Sequence, residues 1–186
     1  ETGRLTLDKE TNDSFDRIID SDGNSLKVDK GVINSETQQV KHTAFANGQK
    51  TSVTYDAYKF TDKEKAYEFY EFMSNRETNW VEFSLSDVTS SSGQNFYNVG
   101  TIGEQLQEAA WGILFDNEYA KDNGVKLNVL RHYHPWNPGP SDADLQGKKM
   151  FHLKYPNQET KYLIDCKECE FDAKTQKAKP RSETPY

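Results

Sequence analysis

The stretch 127–144, LNVLRHYHPWNPGPSDAD, is the segment that most constrains what this chain can fold into. Its first residues are typical of a β-strand, in which successive side chains point to opposite faces. His132 and His134 therefore share one face near the end of the strand. Strict alternation places Leu127 and Arg131 on the other face.

The segment after the histidines predicts a turn and then the start of a helix. Pro135 has no backbone N–H to donate to a neighbouring strand, so we expect the strand to end there. Ser141 is a good helix N-cap, and Asp144 stands three residues later, where a capping box places an acid. Two imidazoles and this carboxylate can converge on one metal ion. Three protein ligands leave one coordination position open, as in catalytic rather than structural zinc sites.

Composition and charge exclude several classes of function. A chain of 186 residues fits one domain with a small appended arm. Its net charge of -7 argues against a nucleic-acid partner and against an anionic membrane surface. The sequence contains no signal peptide and no apolar run of the roughly 20 residues that a transmembrane helix needs. Because the first residue is Glu rather than Met, we expect a fragment or a processed product.

The hydrophobic pattern predicts an α/β fold, a mixed β-sheet flanked by helices. We expect three parts: a polar arm with a β-hairpin at 1–50, the main domain at 51–171 and a polar tail at 172–186. Apolar and polar residues alternate in the predicted strands and recur every three to four positions in the predicted helices. The predicted strands are 51–60, 79–85, 127–134, 151–155 and 161–165, and the predicted helices are 61–74, 103–121 and 142–150. Residues 86–102 are expected to form a long loop or a loose hairpin, and residues 41–50 a loop.

Two short motifs admit more than one interpretation. Gly23 and Asn24 lie between two short apolar runs, which favours a hairpin turn. The same segment lacks the spaced acids of a calcium-binding loop. Cys166 and Cys169 form a single CxxC pair, and a structural zinc site needs a second pair or suitably spaced histidines. Two ordinary thiols are favoured, with a local disulfide or redox pair and a metal role as the alternatives.

Glu82 is unusual because it lies inside the aromatic segment NWVEFSL. A carboxylate there is either an exposed acid on an edge strand or a partly buried functional group, since burying an unpaired charge is costly. A metal-dependent hydrolase needs a carboxylate that takes a proton from water and a donor for the oxyanion. Glu82 is our candidate for the first role, and Glu71 and Glu77 are the alternative candidates. Ser141 is the candidate for the second role.

The string H-x-H-P followed by S-x-x-D, with a glutamate on an upstream strand, resembles the signature of the JAMM (MPN-plus) zinc metalloprotease family. The resemblance implies a cytidine-deaminase-like architecture and a Zn²⁺ ion bound by His132, His134 and Asp144. It also implies Glu82 as the general base and Ser141 as the residue that stabilises the tetrahedral intermediate. Two features depart from the family pattern. Tyr133 replaces the usual Ser or Thr, and six residues rather than seven separate His134 from Ser141.

The segment YKFTDKEKAYEFYEFMSN followed by VEFSL is similar to JAB-like toxin domains at the C-terminal ends of bacterial Rhs-type polymorphic toxins. This resemblance covers roughly residues 5–165. It implies a secreted or delivered effector that hydrolyses peptide or isopeptide bonds in the cytoplasm of a target cell. Its implied partners are a protein or peptide substrate and a cognate immunity protein.

Three other functions remain open at the level of sequence. The first is a catalytically inactive JAMM-like module that acts through protein–protein contacts, which the two departures from the pattern favour. The second is a zinc hydrolase of another bond, such as an amidase or a deaminase-like enzyme. The third is a nuclease toxin, which the acidic charge disfavours.

Overall fold

A computed structural model describes residues 15–19, 23–30, 38–43, 50–74, 81–101, 124–134, 140–165, 169–172 and 177–180. The helices and strands in these ranges are labelled in chain order. They are β1 (Phe15–Ile19), β2 (Ser25–Asp29), β3 (Gln38–Thr43), β4 (Lys50–Phe60), α1 (Lys63–Ser74), β5 (Ser84–Thr89), β6 (Asn95–Thr101), β7 (Lys126–Tyr133), α2 (Asp142–Lys154), β8 (Lys161–Asp165), β9 (Cys169–Asp172) and β10 (Lys177–Pro180).

Eight of the described strands form one mixed sheet, in the order β10-β9-β8-β7-β5-β6-β4-β3. Strands β7 and β8 run parallel, and the other neighbours in this part of the chain are antiparallel. Parallel neighbours need a crossover connection, and the segment that contains α2 supplies it. Strands β1 and β2 form a separate hairpin, as predicted around Gly23. The predicted α/β class with a mixed sheet and flanking helices is confirmed.

The two described helices pack on opposite faces of the sheet. On one face, α1 buries an apolar stripe against β4, β5 and β6, and the hairpin β1–β2 adds Ile18, Leu26 and Val28 to the same cluster. On the other face, Phe151 of α2 packs against Leu127, Leu130 and other apolar side chains of a second cluster. No helix within the described ranges is long and apolar enough to cross a membrane.

Helix α1 confirms the sequence prediction in its buried face and differs from it at the first residue. Ala66, Phe69, Tyr70 and Met73 are buried, as their spacing predicts. The helix begins at Lys63, and the side chain of Asp62 accepts a hydrogen bond from the Lys65 N–H at 3.2 Å. Thr61 and Asp62 are both residue types that favour the N-cap position, so local sequence does not determine the first residue of the helix.

Four predictions of local structure were wrong. Residues 151–155 are not a strand, because α2 continues to Lys154 and keeps Phe151 on its buried side. The strand predicted at 79–85 lies later, at β5. Part of the predicted loop at 41–50 belongs to strands β3 and β4. A bulge opposite the Asp87/Val88 step places Leu127 in the same cluster as Leu130, whereas strict alternation predicts opposite faces.

Other predicted segments agree with the structure, contain an additional strand, or lie outside the described residues. Residues 86–102 contain a hairpin, in which β5 and β6 are joined by a tight turn with Gly93 at φ +85°. Lys177–Pro180, in the predicted tail, forms β10. The predicted helix at 103–121, Glu77 and Cys166 lie outside the described residues. The three-part division of the chain remains a prediction.

Candidate metal centre

The end of β7 is fixed by hydrogen bonds to chain segments on both sides. The Tyr133 N–H donates to the carbonyl of Phe83 at 2.8 Å, just before β5. The next amide, that of His134, donates to the carbonyl of Asp165 at 2.8 Å, at the end of β8. His132 and His134 project from the same face, with ring centroids 4.7 Å apart. The two imidazoles therefore lie on a rigid part of the sheet.

The start of α2 brings Asp144 to these imidazoles. Ser141 caps the helix and accepts a hydrogen bond from the Asp144 N–H at 3.2 Å. In return, the N–H and the hydroxyl of Ser141 donate to Oδ2 of Asp144 at 2.6 and 2.7 Å. This reciprocal capping box sets the direction of the first helical turn and fixes the carboxylate of Asp144.

The three side chains lie close enough together to surround one small ion. Nε2 of His132 lies 3.3 Å from Oδ1 of Asp144, and Nε2 of His134 lies 3.4 Å from Oδ2. Ligand atoms about 2.0–2.2 Å from a tetrahedral zinc ion lie about 3.3–3.6 Å from one another. One ligand atom from each of the three buried residues lies within 4.8 Å of the other two. The group can therefore hold a metal ion.

The charge state of Asp144 also suits a metal ligand. Burial by itself raises the pKa of this carboxyl, but the neighbouring imidazole of His132, the Ser141 hydroxyl and the imidazole of His134 outweigh burial. They hold the pKa of Asp144 well below its usual value. The side chain is therefore an anion at neutral pH, as metal coordination requires.

Glu82 lies beside this group but not in the strand where the sequence placed it. It belongs to the segment immediately before β5, and only 7% of its surface is exposed. Its Oε1 is 3.9 Å from Nε2 of His134. Its carbonyl accepts a hydrogen bond from the hydroxyl of Thr101 at 2.8 Å, which ties the segment to β6. The buried interpretation of this glutamate is therefore correct.

Tyr133 does not enter the metal centre. Its side chain is buried in the apolar cluster under α1, on the face opposite the two histidines. The alternation of side chains along β7 explains this placement. A large residue between the histidines therefore leaves the metal side of the strand unchanged.

A family model described as JAB-like toxin 1 matches residues 58–160, which is more than half of the chain. The chain belongs to the JAB-like toxin 1 family. No curated protein and no solved structure matches it. The matched range of this JAB-like toxin domain contains Glu82, both histidines, Ser141 and Asp144. The resemblance to JAB-like toxins is thereby confirmed.

Glu71 and His152 are not part of the metal group in this JAB-like toxin domain. Glu71, the substitute for Glu82, is on α1, where its Oε1 lies 3.5 Å from Nη2 of Arg131. It is therefore on the opposite face of the sheet from the histidines. Nε2 of His152 lies 3.2 Å from the hydroxyl of Tyr162, and burial lowers the pKa of this histidine. His42 belongs to β3.

Sequence reasoning missed a buried polar network behind the metal centre. Arg131 is 1% exposed and Asp165 is fully buried. Burial alone lowers the pKa of the Arg131 guanidinium, but its hydrogen bonds and ion pair with Asp165 raise it above the usual value. An arginine directly after the apolar pair Val129–Leu130, one position before the first histidine, was the available signal. Its buried partner lies 34 residues later in the chain.

Proposed function

We propose that this chain is a zinc-dependent peptidase or isopeptidase, and that it is the effector module of a larger bacterial polymorphic toxin. One observation carries the proposal. The Nε2 atoms of two neighbouring imidazoles lie 3.3 and 3.4 Å from the two oxygens of one buried carboxylate, with a second buried carboxylate beside them. Membership of a JAB-like toxin family supports the toxin context.

His132, His134 and Asp144 are the residues that would hold the ion. Two neutral imidazoles and one carboxylate form a borderline donor set that suits zinc. A bound zinc ion supplies Lewis-acid activation of water and of the scissile carbonyl at neutral pH. The protein contributes a rigid strand end and a capped helix, which hold the donors close to a productive arrangement.

Glu82 is the proposed general base. It is held on the same side of the sheet as the histidines, 3.9 Å from His134 Nε2. From there its carboxylate can take a proton from the attacking water and deliver it to the leaving amine. The hydrogen bond from Thr101 to the Glu82 main chain keeps the residue in place during both transfers.

Ser141 is the proposed oxyanion donor. Its hydroxyl donates to Asp144 in this structure. Rotation about the Cβ–Oγ bond turns the hydroxyl proton towards the substrate. The oxygen still accepts from the Asp144 N–H, and the Ser141 backbone N–H still donates to Asp144. The capping box can therefore survive while the hydroxyl stabilises developing negative charge.

The proposal extends to partners and to the place of action. The substrate is a polypeptide, either at a main-chain peptide bond or at an isopeptide bond to lysine. The toxin acts after delivery into the cytoplasm of a target bacterium. A cognate immunity protein protects the producing cell.

The metal is tested on the purified protein by elemental analysis and by competition with a chelator. We expect about one zinc ion per chain, and no binding in the His132→Ala/His134→Ala double variant. Asp144→Asn should weaken binding strongly, whereas Asp142→Asn, in the same helical turn but outside the metal group, should not. A wild-type protein that takes up no zinc after reconstitution would contradict the proposal.

The reaction is tested by expressing the domain inside a bacterium. Wild-type protein should slow growth, and Glu82→Gln should abolish this effect while binding zinc normally. Glu68→Gln, which changes an exposed acid on α1, is the matched control and should remain toxic. Normal growth with the wild-type domain would rule out the toxin.

The bond that is cleaved is identified in the same cells. Peptide-bond hydrolysis creates new protein N-termini, whereas isopeptide hydrolysis releases unmodified lysine side chains. Peptide mass spectrometry of cells with wild-type and Glu82→Gln protein distinguishes these products. Full zinc occupancy with neither product and no effect on growth would favour the inactive binding module.

A further inference from the structure

Arg131 is a buried charge that the proposed reaction does not use. Its side chain extends from β7 to the face opposite the two histidines and lies under α1. The chain has placed a guanidinium where an apolar side chain would avoid the cost of desolvation. The hydrogen bonds of Arg131 offset this cost and hold the side chain of Asp165 in place.

The guanidinium and Asp165 form a two-point contact. Nε and Nη2 of Arg131 donate to the two different oxygens of the Asp165 carboxylate, the second at 2.9 Å. The hydroxyl of Tyr70, on α1, donates to the same carboxylate at 2.8 Å. Three donors from two elements thus fix the side chain of Asp165 in one position.

Asp165 connects this network to the metal centre through its main chain. Its carbonyl accepts the hydrogen bond of the His134 amide at 2.8 Å. This hydrogen bond lies one residue beyond the end of β7, next to the final ladder pair of Tyr133 and Asp165. A rotation of Asp165 would move this carbonyl, and with it the main chain that carries the second histidine.

We propose that Arg131 is a positioning residue for the metal centre: it fixes Asp165, whose carbonyl holds the main chain of His134 at the required place. The inference deepens the proposed function, and its metal readout rests on that function. Groups that orient metal ligands from behind typically contribute about 10–100-fold in metal affinity. Arg131 acts through the backbone of a ligand rather than through its ring.

Amide hydrogen exchange tests the proposal without any metal. Arg131→Lys keeps the charge but loses the two-point contact, and Tyr70→Phe removes one donor to Asp165. In both variants we expect the His134 amide to exchange at least about tenfold faster than in wild-type protein. The neighbouring Tyr133 amide, which bonds to Phe83 on the other side of β7, should keep its rate. Equal acceleration of both amides would indicate a loss of overall stability and would overturn the proposal.

Zinc affinity is the second readout. Arg131→Lys should raise the zinc dissociation constant about tenfold, as expected for a group that orients a metal ligand. Lys65→Met is the control, because it breaks an exposed ion pair of 2.6 Å between α1 and β2 and should change neither readout. A His134 exchange rate and a zinc affinity within twofold of wild type in Arg131→Lys would overturn the inference. If wild-type protein binds no zinc, the proposed function fails, and the exchange comparison still decides the role of Arg131.

Discussion

The side chain of Asp144 combines a structural role with its proposed role as a metal ligand. Oδ2 accepts two hydrogen bonds from Ser141, and both oxygens face an imidazole. A carboxylate offers about four lone-pair positions, so the capping bonds and coordination of a metal do not exclude each other. The start of α2 and the proposed metal centre therefore depend on the same side chain.

The capping role of Ser141 can be separated from its hydroxyl chemistry. Ser141→Ala should lower the free energy of unfolding by about 1 kcal/mol, because alanine is a poor N-cap. Ser141→Gly should lower it by only a few tenths of a kcal/mol, since glycine is tolerated at this position. Urea denaturation measures both values. If the hydroxyl also stabilises the oxyanion, the two variants should lose toxicity equally despite their different stabilities. Toxic Ser141→Gly protein would remove Ser141 from the proposed mechanism.

At the scale of elements, β7 serves two environments at once. One face presents His132 to the proposed metal centre, as does His134 directly after the strand. The other face presents Arg131 and Tyr133 to the region under α1. The strand is buried on both faces, so its position is set by packing as well as by its hydrogen bonds. Substitutions on the α1 face should therefore be of two kinds. Some should change only the stability of the fold, and others should move the end of β7.

Tyr133 belongs to the first kind. Tyr133→Ser restores the small residue usual in the JAMM pattern but leaves a cavity in the core. We expect it to lower the free energy of unfolding by about 3 kcal/mol. Zinc affinity of the folded protein should stay close to that of wild type in both Tyr133→Ser and Tyr133→Phe. Urea denaturation and chelator competition check this. Weaker zinc binding in folded Tyr133→Phe protein would show that the hydroxyl of Tyr133 contributes to the site.

Helix α2 supplies a second test at this scale. Phe151 is fully buried, whereas Leu153 is 69% exposed. Phe151→Ala should cost about 3–5 kcal/mol of stability, and Leu153→Ala less than about 0.5 kcal/mol. Similar losses in the two variants would mean that the face of Leu153 is also covered. The measurement is thermal or urea unfolding of the two variants side by side.

The elements also show what sequence alone can predict. Alternation and capping signals located β7 and the start of α2, and therefore both histidines and Asp144. The end of α2 was mistaken for a strand because MFHLKY contains alternating large apolar residues. In a strand, Phe151 and Leu153 would lie on the same face. The tertiary structure shows that Phe151 is buried and Leu153 is exposed, as a helix allows. The bulge in β7 arises from pairing with β5, and a single strand pattern does not encode it.

Across the molecule, the order of the strands in the sheet brings the residues of the candidate site together. Strands β5 and β7 are antiparallel neighbours, with Ser84 opposite His132, so the segment before β5 lies beside the end of β7. This pairing brings Glu82 to histidines that are about fifty residues away in sequence. The motif identified the three candidate metal ligands, because their spacing is local. The position of Glu82, the proposed base, depends on the order of the strands in the sheet. The β-propensity of single residues does not determine that order.

Metal binding should stabilise the whole fold, because the three ligands come from two elements and meet correctly only in the folded state. Zinc at 100 times its dissociation constant should add about 2.7 kcal/mol to the free energy of unfolding. Differential scanning calorimetry with and without zinc measures the shift in melting temperature. The His132→Ala/His134→Ala variant should show no shift. A zinc-induced shift of equal size in that variant would place the metal elsewhere.

The shared carboxylate of Asp144 has a consequence for how related sequences are interpreted. If a related sequence lacked the proposed metal, its helix would still need a cap, so selection for folding alone should retain the serine and the aspartate. The S-x-x-D half of the motif is therefore evidence for the start of a helix, and by itself it is not evidence for hydrolysis. The two histidines have no comparable capping duty in the described fold. In a relative that lacks the proposed hydrolytic activity, we expect the histidines and Glu82 to be replaced before the serine and the aspartate.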